Sequence, residues 1–191
     1  MKTMICLLVA LSVIGVAAAQ NTATAKKTMP TTTDTLAAAK PAEVPDSLPY
    51  LKYPTLPAFN ILETDSSTFF NTYDIPKGRP TALLFFDPDC GHCKATIRMI
   101  TQNIDSVDNI DFYIFTARHD MQMIRDFAKK FKLAKYKNIK VIGMDEEFFF
   151  FSYYKVKFVP DIALYDDNKH FLKLFEGSVP LKELYDLTHK K

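Results

Sequence analysis

An unbroken apolar run over residues 82–86 is the sharpest feature of the hydrophobic pattern, and Asp87-Pro88-Asp89 ends it. A run that does not alternate predicts a strand covered on both faces, as in a parallel or mixed sheet flanked by helices. From Cys93 onward, Ile97, Ile100, Ile104 and Val107 recur at helical spacing. Cys90 therefore falls just before, or at, a helix N-terminus. The β-branched and aromatic segment 110–115 predicts another strand. Residues 120–131 read as a helix with Ile124, Phe127, Ala128 and Phe131 on one face, and 139–142 as a short strand. Asp145-Glu146-Glu147 places acid at the start of a further helix over 148–154. Strands and helices in this alternation are the signature of parallel crossover units.

The flanks are less regular. Residues 56–62 read as an entry strand. Asp65-Ser66-Ser67 offers helix-cap chemistry ahead of Phe69 and Phe70, leaving 68–73 as either helix or strand. The segment from Pro76 through Gly78 to Pro80 is a turn. Beyond the 148–154 helix, 162–165 and 171–175 are strands joined by a hairpin turn. Asn168 is able to take a left-handed conformation in it. Ser178 is the expected cap of a terminal helix with Pro180 in its first turn and Leu181, Leu184, Tyr185 and Thr188 on one face.

Composition changes this picture at the N-terminus. A charged start at Lys2, an apolar core over 4–16 and Ala17-Ala18-Ala19 match a cleavable export signal over 1–19. The apolar run is short for a membrane span, which needs roughly 20 residues. Residues 20–54 divide off as a Thr-, Ala- and Pro-rich linker, too poor in apolar side chains over 20–48 to offset its ordering entropy. The stretch from Leu48 to Pro54 is apolar enough to pack on the domain, which is assigned to 55–191. The net charge of +2 and scattered lysines give no reason to expect a nucleic-acid partner. An exported chain of this kind localises to the periplasm if its source is a Gram-negative bacterium.

Export also bounds the chemistry. The chain has 3 cysteines, and Cys6 leaves with the signal. The remaining pair, Cys90 and Cys93, would close a loop too small to stabilise the fold much. No further cysteine completes a four-ligand zinc site. Redox cycling explains the pair better. A helix N-terminus carries unpaired N–H groups and partial positive charge, and His92 lies between the sulfurs; both favour a thiolate at Cys90. Cys90 is then the exposed attacking sulfur. Cys93, one turn further in, is the buried resolving thiol, and the two work through a mixed disulfide.

The strand leading into Cys90-Gly91-His92-Cys93-Lys94, followed much later by Val159-Pro160, a hairpin and a final helix, resembles the thioredoxin fold. The resemblance covers about residues 55–190. It implies a three-layer α/β fold with a central mixed β-sheet and helices on both faces. The long separation between Cys90 and Pro160 implies an inserted strand–helix unit, which resembles the exported TlpA-like branch. So do Pro57-x-Phe59 and Gly78-Arg79-Pro80. The resemblance further implies that Pro160 packs against the cysteines in the cis form. The main chain of Val159 would pair with a bound substrate, and Pro160 and Gly91 would contact it as well.

Two departures matter. Thioredoxins commonly carry a buried acid where this chain has Leu84, and TlpA-like reductases a Glu where it has Thr96. Deprotonation of Cys93 then falls to water, His92, or an acid such as Asp87 or Asp89, although those two aspartates read first as turn formers. The Gly91-His92 dipeptide is similar to that of protein disulfide isomerases, at about −180 mV against about −270 mV for thioredoxin. It tilts the chemistry towards forming or isomerising disulfides, whereas the TlpA-like resemblance tilts it towards reduction with a membrane electron-transfer partner. Clients are proteins carrying disulfides or dithiols, and no cofactor or metal is called for. A different class, a Cu(I) carrier using the two thiolates and a histidine, has suitable soft ligands but not the wider cysteine spacing of thioredoxin-like copper carriers. Of the remaining features, Phe148 to Phe151 with Tyr153 and Tyr154 read as helix core, or alternatively as the wall of a substrate groove. His119, His170 and His189 read as surface residues, and Lys94 as a side chain snorkelling at the helix start.

Overall fold

A computed structural model describes residues 48–189. The proposed export signal, Cys6 and most of the proposed linker lie outside the described residues. Residues 48–54, divided off with that linker, already belong to the packed structure. They include helix α1 (Pro49–Lys52), whose Tyr50 packs its ring 5.5 Å from that of Tyr154 and 5.2 Å from that of Phe171.

Strands β1 (Asn60–Glu63) and β2 (Phe69–Asn71) form an antiparallel pair. Residues 68–73 thus begin as strand, and a single 3-10 turn follows at Thr72–Asp74. Asp65 caps no helix. Its carboxylate accepts the N–H groups of Ser67 and Thr68 and shapes the β1–β2 turn.

The core of the fold is β3 (Thr81–Phe85), α2 (Gly91–Gln102), β4 (Asp111–Thr116), α3 (Met121–Lys130) and β5 (Ile139–Met144). Strands β3, β4 and β5 pair in parallel, as the crossover pattern predicts. All residues of β3 and β4 are buried, matching their unbroken apolar runs. Helix α2 stops earlier than the spacing of Ile104 and Val107 suggests. Asn103 ends it, its N–H reaching the carbonyls of Met99 and Ile100, and residues Ile104–Val107 form a separate 3-10 turn that keeps Val107 buried.

Helix α4 (Phe149–Tyr154) follows, then the antiparallel hairpin β6 (Asp161–Tyr165) and β7 (Phe171–Glu176), and finally α5 (Leu181–His189). The hairpin turn is organised by Asp166, whose carboxylate accepts the N–H groups of Asn168 and His170. The left-handed residue is Lys169, at φ 70°, not Asn168. Lys169 gains from that geometry: its ammonium reaches the Arg79 carbonyl and the Thr81 hydroxyl. Pro180, rather than Ser178, stands at the head of α5, its carbonyl accepting the N–H groups of Glu183 and Leu184.

The resulting mixed sheet has seven strands in the order β2-β1-β5-β4-β3-β6-β7. Antiparallel β1 meets parallel β5 at Gly143, where a Cβ would lie 2.2 Å from the Leu62 carbonyl oxygen. Helices α2, α3 and α5 cover one face through Ile97, Ile100, Phe127 and Leu184. Helices α1 and α4 cover the other with aromatic side chains, chiefly Phe150 and Tyr154. The fold is the thioredoxin-like three-layer α/β arrangement.

Candidate active site

Strand β3 delivers the chain to a turn stiffened by its own acids. The Asp89 N–H donates to the Asp87 carboxylate at 2.7 Å, and the Cys90 N–H donates to the Asp87 carbonyl at 3.1 Å. Asp87 therefore acts as a turn former, whereas the Asp89 carboxylate is engaged outside the turn by Arg118. Cys90 emerges as the N-cap of α2 with extended backbone, and its sulfur accepts the Cys93 N–H at 3.4 Å. A sulfur thus occupies the position usually taken by a Ser, Thr or Asp oxygen, at the end of the helix dipole that favours negative charge.

The two thiols are free and unequally accessible: Cys90 is half-buried, and Cys93 is fully buried among Ile97, Ile100 and Leu84. Burial pushes the Cys93 thiol up to about 12, although the Asp87 N–H, 3.5 Å from its sulfur, works in the opposite direction. Of the intervening residues, Gly91 and His92 are exposed. Lys94 lies over the turn and donates to the Asp89 carbonyl at 3.1 Å.

The facing wall comes from the segment before β6. The Val159–Pro160 peptide bond is cis, Pro160 is buried, and the Val159 carbonyl lies 3.7 Å from the Cys90 sulfur. Residues 69 positions apart in sequence thus meet at one sulfur. Leu84 and Thr96, which stand where relay acids commonly occur, are both buried.

Two features escape the sequence pattern, and one alternative reading of it is resolved. Arg118, just after β4, places its guanidinium 3.5 Å from the Asp87 carboxylate and 3.0 Å from that of Asp89. Its strand is recognisable from sequence, but its side-chain target depends on β3–β4 pairing. A groove of about 340 Å³ opens beside the dithiol, lined by Phe86, Ala117, Arg118, Phe148, Phe151 and Val159. The aromatic run therefore divides: Phe150 and Tyr154 are core, while Phe148 and Phe151 are exposed and line this groove. The second feature is Asp161, directly after Pro160. It is fully buried, and neither carboxyl oxygen has a hydrogen-bond partner. Burial, reinforced by Glu176, pushes it up to about 8.

His119, His170 and His189 are exposed and dispersed. Among the described residues no group of three or more His, Cys, Asp or Glu side chains is placed to hold a metal ion, so no third ligand joins the two sulfurs there.

A Cys-x-x-Cys pair that caps a helix and faces a cis-proline, on a mixed sheet covered on both sides, defines a thioredoxin-type dithiol protein. The chain belongs to the thioredoxin-like domain family, whose model matches residues 75–190. No curated protein sequence matches it. Among solved structures it is similar to a secreted Mycobacterium tuberculosis disulfide oxidoreductase homologous to E. coli DsbE. The identity is 19% with a TM-score of 0.55, over 68% of this chain and 92% of that one. It is also similar to StoA from Bacillus subtilis, at 18% identity and a TM-score of 0.52 over 70% and 98% of the two chains. A third likeness is the thioredoxin domain of a thiol-disulfide oxidoreductase from Bacteroides vulgatus, at 14% identity and a TM-score of 0.54 over 69% and 91%. At these identities the likeness is one of fold.

Proposed function

We propose that the protein is an exported thiol–disulfide oxidoreductase that cycles Cys90 and Cys93 between dithiol and disulfide. The observation that carries this reading is the inequality of the two sulfurs. Cys90 is accessible, receives a backbone N–H and faces Val159-Pro160, whereas Cys93 is fully buried behind it. One sulfur is placed to attack and the other to resolve. The family and the fold shared with described disulfide oxidoreductases support the reading, and a secreted protein among the latter supports export.

In the reducing direction the Cys90 thiolate attacks a client disulfide. One client sulfur leaves as a thiolate, and a mixed disulfide forms. Cys93 then loses its proton and attacks the Cys90 sulfur, releasing the second client thiol and leaving the Cys90–Cys93 disulfide. Two electrons pass from the protein to the client. The reverse sequence forms a client disulfide. Val159 and Pro160 hold the client backbone against Cys90, and Gly91 leaves the attacking side open. Asp87 is the acid nearest the buried thiol through its backbone, and water or Asp87 takes the Cys93 proton.

Equilibration of the Cys90/Cys93 pair with glutathione tests the proposal. A potential near about −180 mV assigns disulfide formation or isomerisation, in line with Gly91-His92. One near about −270 mV assigns reduction fed by a membrane electron donor. A pair that forms no reversible disulfide with glutathione overturns the proposal.

A further inference from the structure

The turn joining β3 to α2 carries Asp87, in backbone contact with both cysteines, and Asp89, next to Cys90 in the chain, and a cation from the loop after β4 holds their carboxylates. Asp87 touches Cys93 through its N–H and Cys90 through its carbonyl, and the Asp89 carbonyl accepts the Lys94 ammonium. Arg118 bridges the two carboxylates, and its own backbone N–H is anchored on the Thr116 hydroxyl at 3.1 Å, at the end of β4. The two acids alone would oppose negative charge on a neighbouring sulfur. The guanidinium, 3.5 Å from one carboxylate and 3.0 Å from the other, stands against that opposition and ties the turn from which α2 starts.

We propose that Arg118 is a positioning residue of the dithiol reaction, neutralising Asp87 and Asp89 and so allowing charge to develop on Cys90. The inference rests on the oxidoreductase reading for its purpose, but its electrostatic content stands on the geometry alone. In the reaction with oxidised glutathione, the Cys90 sulfur breaks the glutathione disulfide and forms a mixed disulfide. Cys93 then displaces the second glutathione, so that one oxidised glutathione becomes two reduced ones and the protein gains one disulfide. Negative charge rests on Cys90 only in the reduced protein. Uncompensated acids therefore disfavour the reduced form and slow the first attack.

The test uses the full chain and two readouts. Alkylation of Cys90 by iodoacetamide at pH 7, followed by peptide mass spectrometry, reads the sulfur's reactivity and needs no disulfide turnover. The glutathione equilibrium reads the redox balance. Arg118→Met is expected to slow alkylation about fivefold and to shift the equilibrium about fivefold towards the disulfide, the scale of one exposed charge pair. Arg118→Lys is expected to restore most of both. In an Asp87→Asn/Asp89→Asn background, Arg118→Met is expected to change neither. Unchanged alkylation in Arg118→Met overturns the proposal. So does an equal loss in the double-Asn background, which would make Arg118 merely structural. A wild-type chain that alkylates as expected but never equilibrates with glutathione overturns the oxidoreductase reading and leaves the Arg118 electrostatics standing.

Discussion

On the α2 side of the sheet Cys93 is a buried titratable group; on the α4 side Asp161 is another. Both are inaccessible, and burial raises both, the thiol up to about 12 and the carboxyl up to about 8. Their surroundings differ. Cys93 has a backbone N–H aimed at its sulfur and donates its own N–H to an accessible partner, Cys90. The Asp161 carboxyl has no hydrogen-bond partner, and the titratable groups that share its surroundings are Tyr50, Tyr154 and Glu176. The Tyr154 hydroxyl is already engaged with that of Tyr165. The same desolvation therefore serves two ends. At Cys93 it favours the protonated thiol, in line with the resolving role proposed for it. At Asp161 it is a cost to stability that grows as the carboxyl ionises.

The largest effect expected from breaking this comparison is at the dithiol. Cys90→Ser should abolish reduction of an insulin-type disulfide, whereas Cys93→Ser should accumulate client mixed disulfides on Cys90, visible on non-reducing gels. Equal loss with no trapped species in the second variant would contradict the assigned roles.

The next effect lies on the opposite face. Asp161 has a folded-state value of about 8 against 3.8 for the free group, so the folded chain holds a proton that the unfolded chain has released between those values. Its contribution to stability is intact below about pH 4 and declines as pH rises towards 8. Asp161→Asn removes the ionisation and should raise unfolding free energy more at pH 8 than at pH 5, by on the order of a few kcal/mol. Urea unfolding at the two pH values measures it, and an equal gain at both would show that ionisation of Asp161 is not the cause.

The smallest expected effect is at the groove. Phe151 is 48% exposed, so Phe151→Ser should leave stability within about 0.5 kcal/mol. If the groove receives apolar client segments, the same change should raise KM for a peptide disulfide flanked by aromatic residues by roughly fivefold, with kcat unchanged. No change in KM with such a peptide would separate the groove from client recognition.

The central architecture was legible because burial on both faces writes itself into sequence. The unbroken run of β3 and the 3.6-residue spacing of α2 place Cys90 at a helix tip without further information. What stayed hidden depends on pairing rather than on local pattern. Ile104 and Val107 continue the helical spacing of α2 although Asn103 has already ended it, because a 3-10 turn can present the same residues to the same core. Arg118 is a surface arginine by pattern and becomes part of the site only when parallel pairing brings the end of β4 beside the β3–α2 turn. Lys169 adopts the left-handed conformation because its ammonium has partners across the fold at Arg79 and Thr81, which no turn preference encodes. Asp161 reads as an ordinary acid next to a proline until both its neighbouring strands, β3 and β7, are in place.

Helix α4 is six residues long and flanked by left-handed residues, Phe148 and Lys155. Its two faces answer to different demands. Phe150 and Tyr154 hold the sheet, and Phe148 and Phe151 line the groove beside the dithiol. In evolutionary terms this is modularity within two turns of helix. If the groove receives client segments, drift at Phe148 and Phe151 changes what it accepts while selection for folding holds Phe150 and Tyr154 constant, and Cys90 and Cys93 are left untouched.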